Sequence, residues 1–281
     1  GIIIPPSHNM IIYAVAAGGS LSISKLFLAG FVPGVLMCLC LAAVSYIVAV
    51  KRGYASEAFP GVVTLIKSFI TALPGLMTAI IIVGGVLSGI FTVTESGAFG
   101  AIYAFLATII VYRALTWEKF KLAVVNSVRT TSMVMILIAC SGAFAYLLTF
   151  YQVPTKMSIF LTDISDNPVV IMLMINLMLL FLGMIMDMAA LILICTPIFL
   201  PIATSIGIDP YQFGMLLMMN LGLGLCTPPV GSVLFVGCAV GGVRLEDAVK
   251  TIWPFYLAIL IALMFVTFIP AISLTLPNLL G

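Results

Sequence analysis

Twice along this chain a pair of prolines interrupts an apolar run, and both pairs sit in the same frame. Gly1-Ile-Ile-Ile-Pro5-Pro6-Ser7 leads through a short apolar run to Gly18-Gly19; Gly224-Leu-Cys-Thr227-Pro228-Pro229-Val230 leads the same way to Gly241-Gly242. Proline lacks a backbone N–H and clashes with the preceding turn, so a helix breaks at each pair. In lipid a broken helix is tolerated only where it is buried in protein or lines a cavity. Matching interruptions in two halves of a membrane protein point to a transporter's binding site. The setting is membrane-grade: the chain is 63% hydrophobic and only 7% charged, whereas soluble domains carry roughly 25% charged residues. The fold class is therefore all-α and polytopic, in the lipid bilayer, with an inverted repeat, helical hairpins and Pro-Pro broken helices.

Composition also excludes. A net charge of +2 is too small to suggest a nucleic-acid partner. Cys38, Cys40, Cys140, Cys195, Cys226 and Cys238 lie in apolar segments without metal-type spacing. They read as small buried hydrophobes, not as a metal site or a disulfide framework. The first residue is Gly and already lies inside the first motif, with no targeting segment before it. The chain is thus expected to lack its natural N-terminal part, and with it half of the first binding element.

A span needs about 20 apolar residues. Simple spans are expected at Phe27–Val50, Leu73–Ile90, Phe99–Tyr112, Thr130–Phe150 and Ile252–Leu274. Met10–Ala17 is short. Val169–Thr204 is too long for one span and carries Gly183, Asp187, Pro197 and Pro201, which suits a re-entrant hairpin. Tyr211–Val240 is broken in its middle. Lys51, Arg52 and Lys67 (with Glu57) mark one connection; Arg113, Lys119, Lys121 and Arg129 (with Glu118) mark another. The positive-inside rule puts both in the cytoplasm. The slightly negative connection at Lys156, Asp163 and Asp166 then lies outside, the hairpin opens from outside and the C-terminus ends there. On the same count the first broken helix runs outward and the second inward, so the repeat is inverted. Trp117–Val128, Tyr54–Phe69, Ser22–Leu28 and Val243–Lys250 read as amphipathic connectors lying flat on the membrane.

Organisation follows. Residues 1–26 form the broken helix of the first repeat, 27–72 a scaffold helix and arm, 73–128 membrane helices and a second arm, and 129–166 a helix and connector. Residues 167–206 form the hairpin, 207–250 the second broken helix with its connector, and 251–281 a C-terminal scaffold helix.

Asp187 is the sharpest single residue. A carboxylate at the bilayer centre costs roughly 2.5–3.5 kcal/mol on insertion scales, so it does not face lipid. It reads as a cation ligand or substrate partner, and also as an N-cap for the second hairpin arm. Around Thr227 the unwound turn should leave the carbonyls of Gly224, Thr227 and neighbours without helical partners; with one hydroxyl they suit bare Na⁺, which takes hard oxygen ligands. By the repeat, Gly1, Ile4 and Pro5 offer equivalent carbonyls. Ser7, His8 and Asn9 open a half-helix, whose N–H groups and dipole attract anions, so Ser7 and Asn9 are candidates to face a substrate carboxylate. His8, the sole histidine, reads as a packing or capping group. Glu95 is expected to start a helix at the outer interface, with Thr94 as its cap. Trp117 and Trp253 sit at span ends, as interface anchors do.

At this point a family is discernible. Gly1-Ile-Ile-Ile-Pro-Pro-Ser, Lys25-Leu-Phe-Leu-Ala-Gly-Phe-Val-Pro-Gly34, Thr92-Val-Thr-Glu-Ser-Gly97, the Asp187 hairpin ending Thr196-Pro-Ile-Phe-Leu-Pro201, and Gly222-Leu-Gly-Leu-Cys-Thr-Pro-Pro-Val-Gly231 resemble the large membrane subunit of TRAP (tripartite ATP-independent periplasmic) transporters. The resemblance covers essentially the whole chain. It departs at Val93, where the family usually has Pro. It implies a bacterial inner-membrane elevator carrier that imports a carboxylate (sialic acid or C4-dicarboxylate) with Na⁺. It also implies a small membrane subunit and a periplasmic substrate-binding protein as partners. Carried onto this chain, one Na⁺ site uses Gly1, Ile4 and Pro5, with hairpin ligands outside the chain. A second uses Gly183, Met186 and Asp187 with Gly224, Thr227 and Pro228. Ser7 and Asp187 flank the substrate, and the flat helices become arms joining scaffold to elevator. The competing readings are a stand-alone Na⁺- or H⁺-coupled carrier, a channel and an intramembrane protease. The last lacks a second carboxylate or a partnered base, so the chain is not expected to be an enzyme.

Overall fold

The computed structural model describes residues 2–54, 59–229 and 231–280. Gly1, Glu57 and Val230, each used above, lie outside the described residues. Twelve α-helices run along the chain: α1 (His8–Ala16), α2 (Ile23–Arg52), α3 (Val62–Leu87), α4 (Val93–Ile110), α5 (Trp117–Phe150), α6 (Val153–Ile164), α7 (Pro168–Gly183), α8 (Met188–Ser205), α9 (Pro210–Leu225), α10 (Ser232–Gly241), α11 (Leu245–Phe268) and α12 (Pro270–Leu280). Among the described residues there is no strand. Helices α2, α3, α4, α5, α8 and α11 are long and apolar enough to cross a membrane, so the fold is all-α and polytopic. The chain divides into two compact units, Gly1–Lys51 with Val134–Gly281, and Arg52–Met133.

In the smaller unit α3 and α4 pair closely because glycine lets them. A Cβ on Gly85 would fall on the Ser96 hydroxyl, and one on Gly100 would lie 2.6 Å from Ile82 Cδ1. Helix α4 does start at Glu95's motif, but the cap is Thr92 and not Thr94. Thr92 Oγ1 accepts the Glu95 N–H at 3.3 Å, while Glu95 Oε2 accepts the Thr92 N–H at 2.8 Å. That reciprocal pair needs the acid three positions after the cap, and Thr94 stands directly before Glu95, two positions too close.

Three of the expected flat connectors are not separate helices; the fourth, Tyr54–Phe69, lies partly outside the described residues, with its end from Val62 in α3. Trp117–Val128 is the start of α5, a continuous helix of 34 residues, because the first glycine after Trp117 is Gly142 and no proline intervenes. Trp117 there stacks on Phe120, with ring centroids 5.6 Å apart. Ser22–Leu28 enters α2, and Leu26, Phe27 and Leu28 are buried. Most of Val243–Lys250 is the first turn and a half of α11. The expected last span is two helices: Pro270 forces the residue before it out of the helical region, and Ile269 accordingly has φ −116° and ψ 91°. Within Val169–Thr204 the break falls at Met184–Asp187; Pro197 and Pro201 stay inside α8. Nor are all the cysteines buried: Cys195 is, but Cys38 and Cys140 are exposed on helix faces.

The larger unit is built around α9. Gln212 through Leu221 and Leu223 through Leu225 are all buried, under α1, α7, α8, α11 and α12. An apolar helix gains no hydrophobic drive from leaving lipid, so packing and interhelical hydrogen bonds hold such a bundle. Both are present. The Tyr13 ring of α1 lies on Gly214 of α9, where a Cβ would be 2.6 Å from the ring, and its hydroxyl donates to the Pro210 carbonyl at 2.6 Å. An amide ladder crosses the unit. Asn220 Nδ2 donates to the Asn176 carbonyl and Oδ1 at 2.9 and 2.8 Å, and Asn176 Nδ2 donates to Thr267 Oγ1 at 3.1 Å. Gln212 Nε2 donates to the carbonyls of Val266 and Thr267 at 3.1 and 2.9 Å. Helices α7, α9 and α11 are thereby tied by polar groups that lipid could not satisfy.

Candidate functional site

Three interruptions of helix meet at the C-terminal end of α9. The first is the segment before α1. Ile3 places its carbonyl where a Cβ on Gly30 of α2 would be, and Ile4 Cγ1 lies 2.5 Å from a Cβ built on Gly34. Ile2 Cδ1 faces Gly222 of α9, 3.5 Å from a Cβ there. Glycines at 30 and 34 thus open a groove in α2 that holds the non-helical residues 2–4. Ser7 ends this segment. Its buried hydroxyl donates to the Ile2 carbonyl at 2.5 Å, closing the turn around Pro5-Pro6, and it precedes α1 without capping it through its side chain.

The second interruption is the hairpin turn. Gly183 ends α7, and its backbone lies directly on Gly224 of α9. A Cβ on Gly224 would be 2.7 Å from the Gly183 Cα and 3.0 Å from its carbonyl oxygen. No other residue type fits that approach without moving backbone. Asp187 then opens α8 as N-cap, accepting the Ala189 N–H at 3.0 Å. The structural half of the Asp187 reading is thus what the chain does. Its carboxylate is exposed, as is Met186.

The third interruption is the α9–α10 break. Thr227 Oγ1 donates to the Leu223 carbonyl at 2.7 Å, leaving lone pairs free. Here the sequence reading needs correcting. The Gly224 carbonyl is not orphaned, since it accepts the Thr227 N–H at 2.8 Å. The Cys226 carbonyl accepts the Tyr256 hydroxyl of α11. The tight turn supplies the Gly224 carbonyl with the donor that Pro228 lacks, and a tyrosine from a neighbouring helix serves the Cys226 carbonyl. A carbonyl has two lone pairs, so Gly224 keeps capacity for a second partner.

The structure brings several candidates together. Gly183 touches Gly224, joining the hairpin part of the proposed second ion site to its broken-helix part. Asn9 is buried and points Nδ2 at Met188 Sδ, 3.3 Å away, so the start of α1 sits beside the residue that follows Asp187. Thr227 and Pro228 are half-buried, Pro5 is buried, and Ile4 is exposed. Gly1 lies outside the described residues. Among the described residues no three His, Cys, Asp or Glu side chains cluster; a cation here would depend on carbonyl and hydroxyl oxygens plus the one carboxylate. Sequence reasoning passed over Asn176, Asn220, Gln212, Thr267, Tyr13 and Tyr256. Polar side chains inside apolar helices were the available signal, and ionisable groups and prolines drew attention from them.

Fold and site together define a polytopic membrane protein whose helix breaks and polar contacts are gathered around one buried helix. The chain belongs to the family described as the DctM component of the tripartite ATP-independent periplasmic transporters, whose model matches residues 1–272. It is 41% identical over 279 residues to the uncharacterized protein YgiK of Salmonella typhimurium, covering 99% of this chain and 64% of that protein. It is 40% identical over 281 residues to the C4-dicarboxylate TRAP transporter large permease protein DctM of Pseudomonas aeruginosa, covering 100% of this chain and 65% of the relative. With the sialic acid TRAP transporter large permease protein SiaM of Vibrio cholerae it shares 37% identity over 279 residues, 99% of this chain and 65% of that one. The chain therefore spans just under two thirds of the length of these relatives.

Proposed function

We propose that the protein, at full length, is the large permease subunit of a Na⁺-driven carrier that imports a small organic carboxylate across a bacterial inner membrane. The observation that carries this reading is the meeting of both Pro-Pro segments and the hairpin turn at Gly222 and Gly224 of α9. The names of the Pseudomonas and Vibrio relatives support a carboxylate as cargo. Gly183, Met186, Asp187, Gly224, Thr227 and Pro228 form one Na⁺ site; Gly1, Ile4 and Pro5 contribute to another. Asp187 faces the substrate, while Ser7 and Asn9 fix the start of α1, whose N–H groups attract an anion. Two carboxylates at one place repel. Na⁺ between Asp187 and the substrate removes that repulsion, so charge alone couples the ion to its passenger. A periplasmic binding protein delivers the substrate, a small membrane subunit completes the scaffold, and the site moves as an elevator between inverted repeats. The C-terminus lies in the periplasm.

The test is uptake by proteoliposomes holding the full-length protein and its small membrane subunit under an inward Na⁺ gradient. Saturable uptake of a C4-dicarboxylate or sialic acid that needs both Na⁺ and the binding protein is expected. Uptake without the binding protein would point to a stand-alone carrier, and flux that does not saturate would point to a channel.

A further inference from the structure

We propose that the cleft between α4 and the start of α5 binds one anionic phospholipid, with an acyl chain in the cleft and the phosphate on Arg113, Lys119 and Lys121. The inference concerns the smaller unit alone and depends on neither the cargo nor Na⁺. The rings of Phe105 on α4 and Phe120 on α5 lie 5.5 Å apart. Around that contact the two helices leave a cavity of about 380 Å³, within the range of about 300–1,000 Å³ that small-ligand sites occupy. On α5 its lining recurs at residues 120, 123, 124, 127 and 128, which is the spacing of one helical face. Among the described residues the lining is apolar except for Thr108 and Ser127, and the Thr108 hydroxyl already donates to the Ala104 carbonyl at 2.7 Å. Phe105 and Val124 are exposed, so the cleft opens to its surroundings.

Charge identifies the occupant. Leu115, in the connection between the helices, also lines the cavity, and Arg113 stands two residues before it. By the helical repeat, Lys119 and Lys121 flank the apolar face of α5 on its two sides, while Glu118, the one acid in this stretch, lies on the opposite face with Arg129. Contacts hold both lysines at the mouth and leave their N–H groups available. Lys121 Nζ sits 5.4 Å from the centre of the Trp117 ring, and Lys119 Nζ donates to the Ala114 carbonyl at 3.2 Å, which uses one of its three donors. Trp117 is exposed beside Phe120, and tryptophan settles at the headgroup level of a bilayer. The mouth is therefore basic at headgroup depth and the cleft behind it is apolar. A free anion gains nothing from the apolar walls, and a neutral lipid leaves three cations unanswered. A hydrocarbon chain carrying a phosphate satisfies both, and basic pockets between membrane helices bind such headgroups.

Photolabelling of the full-length protein in vesicles of dioleoylphosphatidylcholine tests this. The probe is a phosphatidylglycerol with a diazirine in one acyl chain. Peptide mapping should place adducts within residues 104–128. An excess of dioleoylphosphatidylglycerol should suppress them, and the same excess of dioleoylphosphatidylethanolamine should not. Lys119→Gln combined with Lys121→Gln should cut this labelling by about tenfold. Ala123→Trp, which fills the cleft, should cut it as well while the helical circular dichroism stays unchanged. Equal suppression by the two lipids would mark ordinary boundary lipid and overturn the proposal. Adducts spread evenly over other helices, or labelling that both variants leave intact, would overturn it too. So would suppression by glycerol 3-phosphate as strong as that by the whole lipid, because the cleft would then have no part. Labelling needs neither substrate nor Na⁺, so its failure leaves the transport reading standing, and a failure of transport leaves the lipid site standing.

Discussion

The Asp187 carboxylate accepts the Ala189 N–H and so caps α8, while its charge stands exposed at the turn. These two properties separate by substitution. Asparagine caps helices as well as aspartate does, and alanine does not, at a cost of about 1 kcal/mol. Asp187→Asn should therefore keep the thermal stability of the protein in detergent and lose Na⁺-driven uptake; Asp187→Ala should lose both. Full uptake by the Asn variant would reduce Asp187 to a cap. The glycines make a matching contrast. Gly224→Ala sets a methyl carbon 2.6 Å from the Gly183 carbonyl carbon, and forced overpacking of this kind costs about 1–3 kcal/mol. Gly222→Ala meets only Ile2 Cδ1 at 3.5 Å and should be tolerated. Equal unfolding temperatures for the two variants would contradict the close approach of α7 and α9. At this scale much was legible in the sequence. Proline pairs and a lone carboxylate in an apolar stretch stand out because both would be costly in lipid, and they marked the breaks and the turn. The partners did not: nothing in a linear reading tells that Tyr256 reaches the Cys226 carbonyl.

Elements were legible where a break has a local cause and obscure where continuity decides. Both hairpin arms and both halves of the second broken helix lie close to where proline, glycine and Asp187 put them. The ends of the expected arms were not legible, because amphipathic periodicity marks which face is wet, not whether a helix ends. In α5 no glycine or proline lies between Trp117 and Gly142, so Trp117–Val128 runs on into the same helix. The α7–α9–α11 ladder joins elements that the sequence reading assigned to separate segments. Asn220→Ala should lower stability by about 1–3 kcal/mol, because the Asn176 carbonyl and Oδ1 lose a donor in an apolar interior. In a double-mutant cycle Asn176→Ala and Asn220→Ala should cost less together than the sum of the singles. Strict additivity in thermal unfolding would mean that the two amides do not act as a pair.

At the scale of the whole molecule, the proposed function needs a cation where the hairpin turn meets the second broken helix. The proposed oxygen ligands, carbonyls with one hydroxyl and one carboxylate, match the preference of a hard monovalent ion, and Gly183 of the hairpin touches Gly224 of α9. A ligand that binds only the folded state stabilises it, by about 2.7 kcal/mol at a hundredfold excess over its Kd. The direct measurement is thermal unfolding of the full-length protein in detergent, in NaCl and in KCl at equal ionic strength, for the unaltered chain and for Thr227→Val. A Na⁺ site there should give a rise in unfolding temperature with Na⁺ that saturates, is absent with K⁺ and is lost in Thr227→Val. Equal stabilisation by both salts, or a Na⁺ effect untouched by Thr227→Val, would contradict a Na⁺ site at the α9–α10 break.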